Sequence, residues 1–160
     1  ARSKIKYEFA ATSTRPALTL YWYDGGNLPS KEVMGDKNAG GSGCLIVGEK
    51  GKLYSPDDYG KKYELIGDIT EPTVEFRQPA GEGSSDSVHF KEFANAIRGG
   101  EPTMSNFPDY AGPLTETVLL GNLAVWSGKK VEWDAKNMKA TNAPELEPII
   151  KPEYRGGYTL

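Results

Sequence analysis

At 160 residues the chain has the length of one ordinary domain, enough to bury a core. With 38% hydrophobic and 26% charged residues it fits a globular protein, and a net charge of −3 with both signs scattered leaves no basic stripe for nucleic acid. No apolar run approaches the roughly 20 residues of a membrane-spanning helix, and the single cysteine, Cys44, excludes an internal disulfide.

The N-terminus, ARSKIKYEFA, holds no secretory apolar segment and begins directly in strand-like sequence, the start expected of a domain within a longer chain. In residues 4–10 Ile5, Tyr7 and Phe9 alternate with Lys4, Lys6 and Glu8, which predicts a half-buried strand. Residues 16–23, PALTLYWY, form a second strand, apolar on both faces: Leu18, Leu20 and Trp22 on one, Ala17, Tyr21 and Tyr23 on the other. An antiparallel hairpin joins the two. Residues 27–43 are glycine-rich and weakly periodic, and are expected to be a long loop. GCLIVGEKGKLY at 43–54 predicts a tight hairpin with Cys44–Val47 buried and the turn at Glu49-Lys50-Gly51. Further short strands are expected at 61–66 and 73–77.

Asp86 is a candidate cap for a helix running to about Arg98, with Phe90, Phe93, Ala94 and Ile97 on one apolar face. The longest helix is expected after TMSNFPDYAG. Pro113 suits a first turn, Asp109 suits the positive end of the helix dipole, and Gly128 suits a stop. Leu114, Val118, Leu119, Leu120, Leu123, Val125 and Trp126 surround that helix, which predicts a spine buried on nearly every side. KKVEWDA at 129–135 reads as a last strand, and 136–160, with Pro144, Pro148 and Pro152, as an extended surface segment. The pattern is an α+β domain over residues 1–160: a mostly antiparallel or mixed sheet with two main helices on one face.

The chemistry-bearing residues are few. GGSGCLIVG is no dinucleotide fingerprint, because a strand follows it instead of a helix, and Glu49 stands where a phosphate loop needs lysine. With His89 as the only histidine, neither a histidine-pair metal site nor a Ser/His/Asp triad can be assembled. His89 opens a helix and is either an acid/base or substrate-touching group or a plain surface residue. Trp22, Tyr23 and Asp24 end a strand beside Gly25-Gly26. An aromatic platform with a carboxylate suits sugar recognition, and the same residues suit sheet packing and a turn. Asn106 and Asp109 precede the long helix, as ligand-facing groups or as cap and turn residues.

SNFPDYAGPLTETVLLGN, then GKKVEWDAKNMKATN, together with LTLYWYDGG, GCLIVGEKGKLY and the closing PEYRGGYTL, resembles the C-terminal domain of bacterial-type Gfo/Idh/MocA oxidoreductases, the glucose–fructose oxidoreductase and inositol dehydrogenase family. The resemblance runs in order from about residue 16 to the end, with Pro108 as a one-residue insertion. It implies a substrate-side and oligomerisation domain whose NAD or NADP would be held by an N-terminal domain not in this chain. The implied chemistry is hydride transfer at a sugar or cyclitol carbon, or nicotinamide-assisted glycoside cleavage, and the implied partner is a second copy through the sheet face. His89, Trp22, Tyr23, Asp24, Asn106 and Asp109 are the substrate-side candidates. No catalytic, cofactor-binding or metal-binding residue is assigned in this chain. A non-catalytic carbohydrate-binding or assembly module is the alternative.

Overall fold

The computed structural model describes residues 2–71, 73 and 84–158. The protein is α+β with antiparallel sheets, as its periodicities predict. Among the described residues the strands form three small sheets, and the chain divides into two compact units, residues 1–78 and 79–160.

In the first unit β1 (Ser3–Phe9) and β2 (Leu18–Asp24) form the expected antiparallel hairpin. The register sets Ile5 opposite Trp22, Tyr7 opposite Leu20 and Phe9 opposite Leu18. Strand alternation therefore gathers six apolar side chains on one face. Tyr7 and Phe9 stack there with ring centroids 6.2 Å apart. The other face sets the tyrosines of β2 beside the lysines that alternation turns to that side of β1. Lys4 and Lys6 stand opposite Tyr23 and Tyr21, and the Lys4 ammonium lies 5.2 Å and 5.5 Å from the Tyr23 and Tyr21 ring centres. That is a cation–π arrangement, and it lets two tyrosines face outward beside charge.

The expected loop over 27–43 contains one helical turn, α1 (Lys31–Met34), whose Met34 is buried. A turn with a single buried anchor is too short to show periodicity. β3 (Cys44–Val47), β4 (Gly51–Ser55) and β5 (Glu64–Gly67) follow as a three-stranded antiparallel sheet. The Gly48 amide donates to the Gly51 carbonyl at 2.9 Å and closes the turn. Burial of Cys44–Val47 is not observed: Cys44, Ile46 and Val47 are exposed, while Tyr54 and Ser55 are buried. The reason is position, since β4 lies in the middle of the sheet and β3 at its edge. Gly43 has φ +140°, and a Cβ there would lie 2.6 Å from the Ser55 carbonyl oxygen. The glycine thus serves strand approach, and the strand that follows leaves no helix terminus for a phosphate. The strand expected at 73–77 lies outside the described residues, apart from residue 73.

In the second unit α2 (Ser85–Ile97) starts one residue before the expected cap. Ser84 is the cap, its hydroxyl accepting from the Ser87 amide at 3.3 Å, and Asp86 falls in the first turn, where its charge suits the dipole. The helix is turned differently from its apolar pattern. Phe90 is 75% exposed, Phe93 and Ile97 are also exposed, and Glu92 is buried. The Glu92 carboxylate accepts from the Met104 amide at 2.8 Å, so the returning loop is held on the Glu92 side.

A π-turn, Phe107–Ala111, leads into α3 (Gly112–Ser127). The Asn106 carbonyl accepts from the Ala111 amide at 2.9 Å, five residues on, so this turn holds one residue more than an α-turn. Pro108 lies inside it. Pro113 occupies the first turn of α3, and Gly128, at φ +66°, ends the helix with its amide donating to the Ala124 carbonyl at 3.0 Å. Leu123 is buried at 7% exposure against Ala140, Ala143 and Leu146, with Leu120, Val131, Trp133 and Ile150 around them. The expectation of a helix covered on nearly every side is corrected: Leu114, Val118, Leu119, Val125 and Trp126 are exposed, Leu119 at 58%. Only one stripe of α3 meets the apolar cluster.

The cluster comes from a segment expected to be extended surface. β6 (Trp133–Asp134) pairs with β7 (Lys139–Ala140), then a 3₁₀ turn (Pro144–Leu146) runs into α4 (Glu147–Ile150). Pro144 and Pro148 sit in first turns, where the missing N–H costs nothing, so they start helical turns instead of breaking them. Ala143 is completely buried. The Trp133 indole donates to the Glu116 carboxylate, tying β6 to α3.

Two predictions follow from α3. Leu123→Ala should cost about 2–5 kcal/mol by lost transfer energy and cavity, and Leu119→Ala under ~1 kcal/mol, read as denaturant midpoints at unchanged slope. Equal large losses would mean that α3 is covered on both sides. At Gly112 an added Cβ would lie 2.6 Å from the Phe107 carbonyl oxygen, the acceptor of the Gly112 amide. Gly112→Ala should therefore cost about 1–3 kcal/mol through overpacking and speed exchange of that amide, and a neutral Ala would show that the wide turn is absent.

Candidate functional site

The six candidate side chains fall into two groups, one in each compact unit. Trp22, Tyr23 and Asp24 stand at the end of β2, where Asp24 pairs with Ser3 across the hairpin. The Asp24 carboxylate accepts from the Ser3 amide at 2.9 Å through Oδ1 and from the Trp22 indole at 3.3 Å through Oδ2. Its carbonyl accepts from the Asn27 amide at 3.0 Å, and the Asn27 side chain donates to the Ser3 carbonyl at 2.8 Å. Hydrogen bonds from Ser3, through side chain and backbone, hold the Asp24 pKa below its ordinary value, with the Trp22 indole adding to them.

Trp22 is 45% exposed, and Tyr23 is half-buried beneath Lys4. The corner thus offers an indole surface beside an ionised carboxylate. The carboxylate has about four acceptor sites and takes hydrogen bonds from the Ser3 amide, the Ser3 side chain and the Trp22 indole, so capacity remains for a ligand hydroxyl. The same contacts close the open end of the hairpin, so Asp24 has a structural duty whatever it binds. A shallow groove lined by Glu8, Phe9, Ala17, Leu18 and Thr19 lies at the opposite end of the hairpin, and no candidate lines it.

In the second unit His89 is exposed near the start of α2. Asn106 is the cap of the π-turn: its side-chain oxygen accepts from the Asp109 amide at 2.9 Å, and its amide group donates to the Thr103 carbonyl at 3.4 Å. The cap-and-turn alternative is therefore the observed role of Asn106. Asp109 is exposed in the first turn of that segment.

Asp57, Glu92 and Glu116 are among the carboxylates whose partners were not read from the sequence. Asp57 accepts from the amides of Tyr59 at 2.8 Å, Lys61 at 3.2 Å and Lys62 at 3.0 Å. Backbone hydrogen bonds, that of Lys62 foremost, hold its pKa below the ordinary value. The Ser-Pro-Asp-Asp-Tyr-Gly run was the available signal for that turn. Glu92 and Glu116 carried none, because their partners, Met104 and Trp133, lie 12 and 17 residues away. Among the described residues no group of three or more His, Cys, Asp or Glu side chains is placed to hold a metal ion, and no helix is long and apolar enough to cross a membrane.

Comparisons with known proteins find no matching family model, no matching curated protein and no matching solved structure.

The Asp24 corner gives a pH prediction. Its folded pKa lies below the unfolded value, so the stabilisation is complete above the ordinary carboxylate range and disappears as pH falls through the lowered folded value. The Trp22 indole and Ser3 amide proton resonances should shift together with a midpoint below 3.8, the unperturbed value, and Asp24→Asn should abolish that transition. A midpoint at or above 3.8 would mean that these hydrogen bonds do not form in solution.

Proposed function

We propose that this chain is the C-terminal, substrate-side and oligomerisation domain of an NAD(P)-dependent oxidoreductase of the Gfo/Idh/MocA type, acting on a sugar or cyclitol. The observation that carries the proposal is the ordered run of motifs from about residue 16 onward, above all SNFPDYAGPLTETVLLGN. The π-turn is consistent with it, since the extra residue accommodated there coincides with Pro108, the one position out of step with the family pattern. In this proposal the cofactor is bound by an N-terminal domain outside the chain, and Trp22 and Asp24 contribute stacking and hydroxyl recognition on the substrate side. Cleavage of a glycosidic bond by transient use of the nicotinamide is a variant of the same proposal.

A second reading, a non-catalytic carbohydrate-binding or assembly module, is favoured by one observation. The indole–carboxylate corner is built entirely within one hairpin and needs no cofactor to be complete. The two readings part on the sequence upstream of residue 1: a glycine-fingerprint βαβ domain continuous with it supports the enzyme, and an unrelated domain supports the module.

Hydride transfer needs a nicotinamide held against the substrate carbon and an acid/base group within about 2.6–3.2 Å of its hydroxyl. The isolated 160-residue chain should accordingly show no saturable NAD(H) or NADP(H) binding by calorimetry at millimolar cofactor, and no sugar-dependent change in nicotinamide absorbance. Joined to its upstream region it should show both. Tight dinucleotide binding by the isolated chain would overturn the assignment.

Self-association is the other expectation. On the hairpin face opposite Leu18, Leu20 and Trp22, Tyr21 is exposed and Tyr23 half-buried, and we propose that this second sheet face packs on another copy. Light scattering should find a dimer or larger species at high micromolar concentration, reduced by Tyr21→Glu. A monomer at that concentration would remove the assembly role.

A further inference from the structure

No further inference is drawn: the strongest candidate, the open apolar face of the β1–β2 hairpin formed by Ile5, Tyr7, Phe9, Leu18, Leu20 and Trp22, carries nothing because nothing in the structure shows what covers it.

Discussion

Leu123 enters a pad made by Ala140, Ala143 and Leu146, and the packing of α3 on the segment after it rests on that contact. Two of the three pad residues are alanines, so the backbone after β7 can approach α3 closely while the leucine fills the space between. Three polar ties support the same packing. The Trp133 indole reaches Glu116, Lys129 pairs with Glu145, and the Asn142 side chain accepts from the Glu132 amide at 2.8 Å. The lysine pair is exposed and adds little to stability. The Trp133 tie matters more, because it orients a large ring at the edge of the cluster.

The first unit rests on a different constraint, cross-strand register. Shifting β1 against β2 by one residue would turn Ile5, Tyr7 and Phe9 to the side that carries Tyr21 and Tyr23. Asp24 opposes that slip by binding the Ser3 amide, and Arg15 braces the other end with hydrogen bonds to the Ala10 and Pro16 carbonyls at 3.1 Å and 2.9 Å. A residue proposed to meet a sugar therefore also holds the platform that presents it. Activity lost on substituting Asp24 must accordingly be read beside the stability of the hairpin.

Much of the local structure was legible because it rests on short-range chemistry. The alternation of Lys4 to Phe9, the Glu49-Lys50 turn, the Pro113 start and the Gly128 stop all depend on a few neighbouring residues. Of the candidate site, the Trp22–Asp24 adjacency was readable from a spacing of two on one strand face, and the capping role of Asn106 from its place before a proline-containing turn. Glu92 was not readable as a buried group. Its sequence position lies beside an apolar stripe, and only the return of residues 99–104 gives it an amide to accept from.

The sequence by itself determined the α+β class, the antiparallel pairing of adjacent strands and the ends of the long helix, since propensity, alternation and capping act within a few residues. Tertiary structure decided which apolar residues are covered. Leu119 and Leu123 are equally hydrophobic and four positions apart, yet one is exposed and the other buried, because Ala140, Ala143 and Leu146 reach only one stripe of α3. It also decided that residues 139–150, read as surface from their prolines, supply that cluster. Burial is set by partners distant in the chain, and no local pattern in α3 specifies which of its apolar sides those partners meet.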